Sequence, residues 1–282
     1  MDDDDGNCLQ DLFTNTSYEE VRVDINGIKV DLFASQSATT DPELTGQLIW
    51  PVSTLLAHYL ASPIGEKLVK NRNVVELGAG CALPSIVASS NAKHVVLTDG
   101  NELVMDLMKK NTRFVQCPSS VRQLVWGNRQ HLKDVMKCSP DGCVDVVIAA
   151  DVVQWPAVVE PLVHTIKALL WRNAGTATCD DGEDASPAKV CLLGLVRRSS
   201  STTKLFFDFC LEMGFVCRKV DDGLFLPSGV PDNCKECGGQ VTELFELTLS
   251  DDYSTMPLLL EDGIDGDLIL GKDFELTSFM PC

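Results

Sequence analysis

The sequence lacks long hydrophobic runs and has no basic, apolar N-terminus. No window of eighteen apolar residues occurs among the 282 residues, and Asp2 to Asp5 give the chain an acidic start. A transmembrane helix needs about 20 apolar residues, and a secretory signal needs a positive start followed by an apolar stretch. We therefore expect a protein that neither spans a membrane nor is secreted.

The twelve cysteines follow no regular spacing. A disulfide scaffold is smaller and denser in cysteine, so we expect reduced thiols and a location in the cytosol or nucleus. Cys234-x-x-Cys237 is a single pair, whereas a structural zinc site takes four ligands. Cys210, Cys217 or Cys282 could complete it, but no second pair has the standard spacing. We predict no metal site.

The net charge of −18 is unevenly distributed. Acidic residues are concentrated in Asp2 to Asp5, in residues 180–184 and in residues 250–282. Solvated, poorly ordered segments have this composition without any specific function. Alternatively, such segments could steer a basic partner. The excess of acidic over basic residues also argues against nucleic acid as the main ligand.

The length suits one α/β domain with additions. We predict a flexible acidic N-terminus over residues 1–18 and a single domain over residues 19–249. Residues 173–188 show no periodicity and are predicted to be a disordered insertion within that domain. Residues 250–282 are predicted to form an acidic C-terminal tail.

Residues 74–80 are the stretch around which the chain is organised. Val74 to Leu77 is an apolar, largely β-branched run without polar alternation, which is typical of a strand buried on both faces. Gly78 and Gly80 then allow a tight turn and a close approach of the backbone to a ligand. Pro84 suits the first turn of a helix. A strand, a glycine loop and a helix are predicted, and helix N-terminal amides can face a nucleotide cofactor there.

Two common nucleotide-binding motifs are missing. A dinucleotide fingerprint would place a third glycine where the chain has Leu83, and no Gly-Lys-Ser/Thr follows as in a P-loop. What remains is Glu76-x-Gly78-x-Gly80, and Asp99 ends the next apolar run. An acid about 20 residues beyond the glycines is placed to accept hydrogen bonds from ribose hydroxyls. By itself, the pattern also fits a glycine turn with an unrelated acid.

Strands and helices alternate along most of the chain. Period-two patterns at residues 21–25 and 28–33 around Asn26-Gly27 predict a β-hairpin with a type I′ turn. Further strands are predicted at residues 74–77, 95–98, 121–125, 145–151, 190–196, 215–220 and 241–249, and helices at residues 52–60, 83–90, 102–114, 156–170 and 201–213. This order predicts an α/β fold in which a doubly wound, mostly parallel seven-stranded sheet follows the hairpin. Residues 221–240 are predicted to be a loop within a final hairpin.

Several chemically informative residues follow directly after predicted strands. Glu76 to Gly80, Asp99, Trp126 and Asp151 stand at four carboxyl ends, where the ligands of open α/β sheets bind. They can therefore converge on one cleft. Cys81 borders the glycine loop but has no visible activating base, which favours a packing role.

These motifs resemble the seven-strand S-adenosylmethionine-dependent methyltransferases, and in particular the protein-lysine branch called methyltransferase family 16. The shared features are the hairpin, a Gly46-x-x-x-Trp50-Pro51 entry, the Glu-x-Gly-x-Gly loop and Trp126-Gly127 after the third core strand. The resemblance covers roughly residues 20–249 and implies a Rossmann-like fold. Carried over by position, it implies a cofactor site formed by Trp50, Glu76, Gly78, Ala79, Gly80, Asp99, Gly100, Trp126 and Ala149. The loop would approach the methionine part of the cofactor, Asp99 would hold the ribose, and Trp126 would lie beside the adenine.

The acceptor motif departs from the family pattern at one position. Asp151-Val152-Val153-Gln154 stands where the family has Asp-x-x-Tyr, and Trp155 follows. Methyl transfer from a sulfonium is an in-line displacement, so the enzyme must mainly align a neutral amine. A carboxylate can position that amine and an aromatic ring can contact its cationic form, but Gln154 has no π face. The resemblance implies Asp151, Gln154 and Trp155 as catalytic candidates.

Alternatives remain open for two residues and for the whole chain. Trp50 either anchors the core or forms a wall of the cofactor pocket. Asp151 either contacts the acceptor or caps the helix that follows it. The chain could also methylate arginine, histidine or a small molecule, or bind the cofactor without transfer and act as an interaction module.

Taken together, the resemblance implies an S-adenosylmethionine-dependent methyltransferase that acts on a protein side chain. A lysine ε-amine of a non-histone protein is the favoured acceptor, in a basic or lysine-bearing segment. We expect a monomer, and neither a membrane nor a nucleic acid as partner.

Overall fold

The computed structural model of the chain describes residues 18–35, 42–171 and 188–250. The predicted N-terminal segment, insertion and acidic tail lie outside the described residues, apart from the boundary residues Tyr18, Ala188 and Ser250. In the part that is described, no helix is long and apolar enough to cross a membrane.

The predicted β-hairpin is confirmed. β1 (Glu19–Ile25) pairs antiparallel with β2 (Ile28–Ala34). Asn26 and Gly27 connect them with φ values of 53° and 82°. A type I′ turn needs two consecutive residues in the left-handed region, and asparagine followed by glycine adopts it with little strain.

A central sheet of seven strands, with a short eighth strand at its margin, follows the hairpin. The strands are β3 (Asn73–Leu77), β4 (His94–Asp99), β5 (Ser119–Gln123), β6 (Val146–Ala150), β7 (Val190–Val196), β8 (Phe215–Lys219), β9 (Glu236–Cys237) and β10 (Gln240–Leu249). Their spatial order is β5-β4-β3-β6-β7-β10-β8, and β9 pairs with the start of β10. The first five are parallel, and β10 is antiparallel to both neighbours. The predicted doubly wound, mostly parallel sheet is confirmed.

Eight α-helices occur within the described residues. They are α1 (Pro51–Leu60), α2 (Pro63–Val69), α3 (Leu83–Ala88), α4 (Glu102–Asn111), α5 (Arg129–Cys138), α6 (Pro156–Leu170), α7 (Ser200–Glu212) and α8 (Asp232–Lys235). Proline lies in the first turn of α1, α2, α3 and α6, where its missing N–H costs nothing. Asn101, Asn128 and Ser199 accept a backbone hydrogen bond at the starts of α4, α5 and α7.

The sheet separates two hydrophobic clusters, which explains why its central strands β3 and β6 are mainly apolar on both faces. Val74 and Ile148 belong to a cluster shared with the hairpin, α1 and α3. Val75 and Val147 belong to a second cluster shared with α5, α6 and α7. Because successive side chains of a strand point to opposite faces, both faces of the sheet are covered.

The sequence prediction did not include helix α2, and it differs from the structure in three further places. The third core strand lies at Ser119–Gln123 instead of residues 121–125, because β5 is an edge strand whose partly buried residues give no clear apolar pattern. Helix α5 was not predicted, since only Leu132 and Val135 of its ten residues are buried. Residues 221–240 contain a 3₁₀ turn, α8 and β9 in addition to loop.

The Tyr59 hydroxyl joins α1 to the sheet, and its removal is expected to destabilise the fold. It donates a hydrogen bond of 2.9 Å to Oε1 of Glu246 on β10. Within the described residues, Tyr59→Phe removes the side-chain donor to that partly buried carboxylate, so we expect the free energy of unfolding to fall by about 1.5–3 kcal/mol in urea denaturation. Lys109→Ala, which removes an exposed ion pair with Asp106, should change it by less than about 1 kcal/mol. Equal effects of the two substitutions would contradict this role for Tyr59.

Candidate active site

The segment after β3 forms a tight glycine loop. Gly78 and Gly80 have φ values of 60° and 52°, in the left-handed region that glycine adopts readily. A Cβ at Gly78 would lie 2.9 Å from Cγ1 of Val152, and one at Gly80 would lie 2.5 Å from the carbonyl oxygen of Gly46. The loop is therefore held between the segment after β6 and the 3₁₀ helix Pro42–Gln47.

Asp99, the last residue of β4, holds this loop in place. Its Oδ2 accepts a hydrogen bond from the Gly80 N–H at 3.2 Å, and its Oδ1 accepts one from the Asn101 N–H at 3.0 Å. Burial raises the pKa of Asp99, although these backbone donors act in the opposite direction. The carboxylate therefore shapes the loop and also borders the cleft beside it.

Glu76 lies below the loop and is 2% exposed. One carboxyl oxygen accepts a hydrogen bond of 3.1 Å from the Ser85 N–H in α3. Burial raises the pKa of Glu76 to about 8, nearby Asp99 adds to this, and the hydrogen bonding of Ser85 opposes it. At neutral pH the carboxyl is mainly protonated and can donate a hydrogen bond to a ligand in the cleft that it lines.

A cleft of about 270 Å³ opens at the carboxyl ends of β3, β4 and β6. It lies where the strand order reverses between β3 and β6, which is the usual ligand position in open α/β sheets. The predicted site residues that line it are Trp50, Glu76, Gly78, Ala79, Gly80, Asp99, Trp126, Asp151, Gln154 and Trp155. The sequence motifs therefore converge on one site.

Two predicted cofactor residues do not line the cleft. Ala149 is buried in β6, opposite Leu77 of β3 on one side and Leu193 of β7 on the other. Its neighbour Ala150 lines the cleft instead. Gly100 follows Asp99 but lies outside the lining residues, and a Cβ there would approach the carbonyl oxygen of Leu124.

Trp50 combines the two roles that the sequence left open. Its indole N–H donates to the carbonyl oxygen of Thr45 at 3.0 Å, and its ring packs with Val52, Val196 and Cys237. The same side chain lines the cleft. Trp50 is therefore both a packing anchor and a wall of the site.

Trp126 presents an unpartnered donor at the site. Its buried Nε1 has no hydrogen-bond partner among the described residues, although Trp126 lines the cleft. A buried donor without an acceptor costs about 1–3 kcal/mol, so this position suits a ligand that supplies one.

Asp151 follows β6 in an unusual backbone conformation. Its φ of 57° lies in the left-handed region, and its N–H donates to the carbonyl oxygen of Gly194 at 3.0 Å. The side chain is 3% exposed and forms an ion pair with Arg198. Burial raises the pKa of Asp151, and Arg198 opposes that rise. Asp151 does not cap α6, whose N-cap residue is Trp155, so the capping alternative is wrong.

Gln154 and Trp155 border the same cleft in different ways. The Gln154 side-chain amide donates to the backbone carbonyl of Asp151 at 2.9 Å and so closes the turn between β6 and α6. The Trp155 side chain is exposed, with 59% of its surface accessible at the start of α6. Gln154 therefore supports the conformation of Asp151, and Trp155 offers an apolar face to an incoming acceptor.

Arg198 is a site residue that the sequence analysis missed. It follows β7 by two residues, and its position near the carboxyl end of a core strand is the sequence signal that points to the site.

Cysteine chemistry plays no part in this geometry. Cys81 is buried, its thiol lies 3.6 Å from the carbonyl oxygen of Gly46, and burial strongly raises its pKa. It therefore packs beside the loop. Within residues 18–35, 42–171 and 188–250, no three His, Cys, Asp or Glu side chains are grouped to hold a metal, and Cys234 and Cys237 have no further ligands there.

Comparison with known proteins gives one family and several relatives. A sequence model of the lysine methyltransferase family matches residues 32–180. The protein N-terminal and lysine N-methyltransferase EFM7 of Candida glabrata is 30% identical over 222 residues, which cover 73% of this chain and 77% of the relative.

Two mammalian relatives match a shorter part. The protein-lysine methyltransferase METTL21E of Bos taurus is 32% identical over 128 residues, covering 44% of this chain and 43% of that protein. The histone-arginine methyltransferase METTL23 of Mus musculus is 28% identical over 131 residues, covering 45% and 49%. The match thus spans about half the length of these two relatives.

A solved structure shares the fold. The crystal structure of SMU.776 in complex with SAH superposes with a TM-score of 0.52 at 10% sequence identity, and the alignment covers 82% of this chain and 56% of that one. At this identity the likeness concerns the architecture of the sheet and its helices.

Proposed function

This chain belongs to the lysine methyltransferase family, and we propose that it transfers the methyl group of S-adenosylmethionine to the ε-amine of a lysine in another protein. One observation carries this proposal. The glycine loop and Asp99, which suit the cofactor, line the same cleft as Asp151, which suits the acceptor amine. Both reactants can therefore meet within one site.

The residues of the cleft fit S-adenosylmethionine, the cofactor of this family. Gly78 and Gly80 present bare backbone where a side chain would obstruct a ligand, and the Asp99 carboxylate retains lone pairs for ribose hydroxyls. The unpartnered Nε1 of Trp126 can donate to an adenine nitrogen. Protonated Glu76 can donate to the carboxylate at the methionine end. When bound, the cofactor supplies an electrophilic methyl group on a sulfonium.

The protein's own contribution is mainly alignment of the acceptor. A lysine amine attacks only as the neutral base, with its lone pair in line with the methyl group. The Asp151 carboxylate can accept a hydrogen bond from the amine N–H and so fix the direction of the lone pair. Trp155 can cover the aliphatic part of the lysine side chain and keep water away.

The partner and the location form part of this proposal. The curated relatives EFM7 and METTL21E act on protein lysine or N-terminal amines according to their names, which supports a protein acceptor. A basic, lysine-bearing segment suits a cleft that contains Asp99 and Asp151. We propose a monomeric enzyme of the cytosol or nucleus, and free thiols at the nine described cysteines fit a reducing compartment.

The first test separates cofactor binding from transfer. Calorimetric titration of the purified protein with S-adenosylmethionine is expected to show binding that Asp99→Ala weakens by about 5- to 150-fold, the effect of losing a hydrogen bond worth 1–3 kcal/mol. Asp106→Ala, which removes an exposed acid on α4, is the matched control and should bind like the unsubstituted protein.

The acceptor is tested with methyl-labelled cofactor and a cell extract. Label is expected on lysine residues of a discrete protein band, and peptide mass analysis should place it on the ε-amine. Binding without any labelled product would contradict the transferase and leave a cofactor-binding module. Label on arginine or on small molecules would contradict the lysine assignment.

A further inference from the structure

The carboxylate expected to face the acceptor amine is already engaged by an arginine. Nη2 of Arg198 lies 2.5 Å from Oδ2 of Asp151, and Nε lies 3.3 Å from Oδ1. Both oxygens are thus held by one planar guanidinium, an arrangement that fixes the direction of the carboxylate as well as its position. The Asp151 side chain is 3% exposed and that of Arg198 is 33% exposed.

Two further contacts fix the arginine itself. Its guanidinium carbon lies 5.5 Å from the ring centroid of Trp50, within the range of a cation–π contact. Its Nη2 also lies 3.6 Å from the Cys237 thiol on β9. Arg198 therefore ties together the ends of β6 and β7, the start of α1 and the short strand β9.

The other charged groups nearby are paired with each other. Glu243 on β10 accepts hydrogen bonds from Arg197 and from Lys219, the latter at 2.8 Å. Uncharged groups make the remaining contacts: the Gln154 amide and the Gly194 carbonyl bind the backbone of Asp151, and the Trp50 ring and the Cys237 thiol contact Arg198. Arg198 is the charge that acts on Asp151 in the described part of the chain.

We infer that Arg198 is a positioning residue for methyl transfer, which holds the Asp151 carboxylate ionised and aimed so that it orients the acceptor amine. This inference rests on the proposed function. A guanidinium uses one lone pair of each carboxylate oxygen, and each oxygen retains another for the amine N–H. Asp151 then works as a fixed hydrogen-bond acceptor, and the proton lost by the substrate ammonium goes to solvent before the amine attacks.

The role of Arg198 has a consequence for the titration of Asp151. Burial raises the pKa of Asp151, and Arg198 opposes that rise. Without the guanidinium the full effect of burial remains, so the pKa of Asp151 should be higher than in the unsubstituted protein. A larger share of Asp151 is then protonated at low pH, and activity lost in this way returns as the pH is raised.

The test compares Arg198→Ala with the unsubstituted enzyme across pH. We expect a lower kcat in the variant, a deficit that is largest at the acidic end of the measured pH range and shrinks as the pH is raised, and unchanged affinity for S-adenosylmethionine. A merely structural role would give a deficit that does not depend on pH. A variant more active than the unsubstituted enzyme would also overturn the inference, because Arg198 would then block the acceptor site.

A second readout does not depend on turnover. In protein labelled with ¹³C at aspartate carboxyl groups, the Asp151 signal can be assigned by its loss in Asp151→Asn and then titrated by NMR. The Asp151 pKa should be higher in Arg198→Ala and near the original in Arg198→Lys, which keeps the charge. An unchanged titration in Arg198→Ala overturns the inference even if no acceptor protein is found.

Arg198→Lys and Arg197→Ala also serve as controls for the pH profile of kcat. Arg198→Lys loses the two-pronged contact, so its kcat should fall by less than that of Arg198→Ala and without a shift along the pH axis. Arg197→Ala removes the neighbouring arginine, which pairs with Glu243 and not with Asp151, and should leave both the pH profile and the titration unchanged. Failure of the proposed function is seen separately, as cofactor binding without labelled product in the unsubstituted protein.

Discussion

Gly80→Ala is expected to abolish cofactor binding and to destabilise the protein by about 2–5 kcal/mol. The added Cβ would lie 2.5 Å from the backbone oxygen of Gly46, which cannot rotate away as a side chain could. Crowding of this kind costs about 1–3 kcal/mol, and the left-handed φ of 52° adds about 1–2 kcal/mol for any residue with a Cβ. The loop must move, and the Gly80 N–H then leaves Asp99. Urea denaturation and calorimetric titration measure the two effects.

A second glycine provides the matched control. Gly27 in the hairpin turn has a φ of 82°, and a Cβ there would meet nothing within 4 Å. Gly27→Ala therefore carries the conformational cost alone, about 1–2 kcal/mol, and should leave cofactor affinity intact. If both substitutions destabilise equally and both spare binding, the close packing of the loop against Gly46 has no importance for the site.

The parts of the site that follow one another in the chain were predictable from sequence. The positions of Glu76, Gly78 and Gly80 follow from a local order of strand, turn and helix, and that of Asp99 follows from its place at the end of the next strand. In such cases a short-range pattern contains the information. The hairpin at Asn26-Gly27 was predictable for the same reason, since the two residues determine the turn.

The pairing of Asp151 with Arg198 could not be read in the same way. The two residues are separated by 47 positions, including residues 172–187, and they meet only because β6 and β7 are neighbours in register. Nothing in the sequence around either residue indicates the partner. The two parallel strands place both side chains at the carboxyl end of the sheet. This proximity is evident only once the spatial order of the strands is known.

Helix α5 shows a different limit. Its buried residues Leu132 and Val135 are few, and most other positions are polar, so the hydrophobic period is weak. Asn128 caps its start through a hydrogen bond to the His131 N–H at 3.0 Å, a local signal that a search for N-caps could have used. Packing of a narrow apolar stripe on the sheet then stabilises a helix that periodicity alone does not reveal.

Asp151→Asn is expected to lower the rate of methyl transfer by about 100-fold while cofactor affinity changes by less than about twofold. Asparagine tolerates the left-handed φ of 57° and has nearly the same shape, so the loop should keep its conformation. What disappears is the negative charge that orients the acceptor amine, and a small misalignment of reactants costs about 10²-fold in rate. Single-turnover rates and calorimetric titration measure the two quantities, and Asp208→Asn on the exposed side of α7 is the control.

A parallel loss of cofactor affinity would show that Asp151 shapes the cleft as a whole. Retention of the full rate would show that the acceptor amine is oriented elsewhere, and the backbone turn fixed by Gln154 would then be the next part of the site to test.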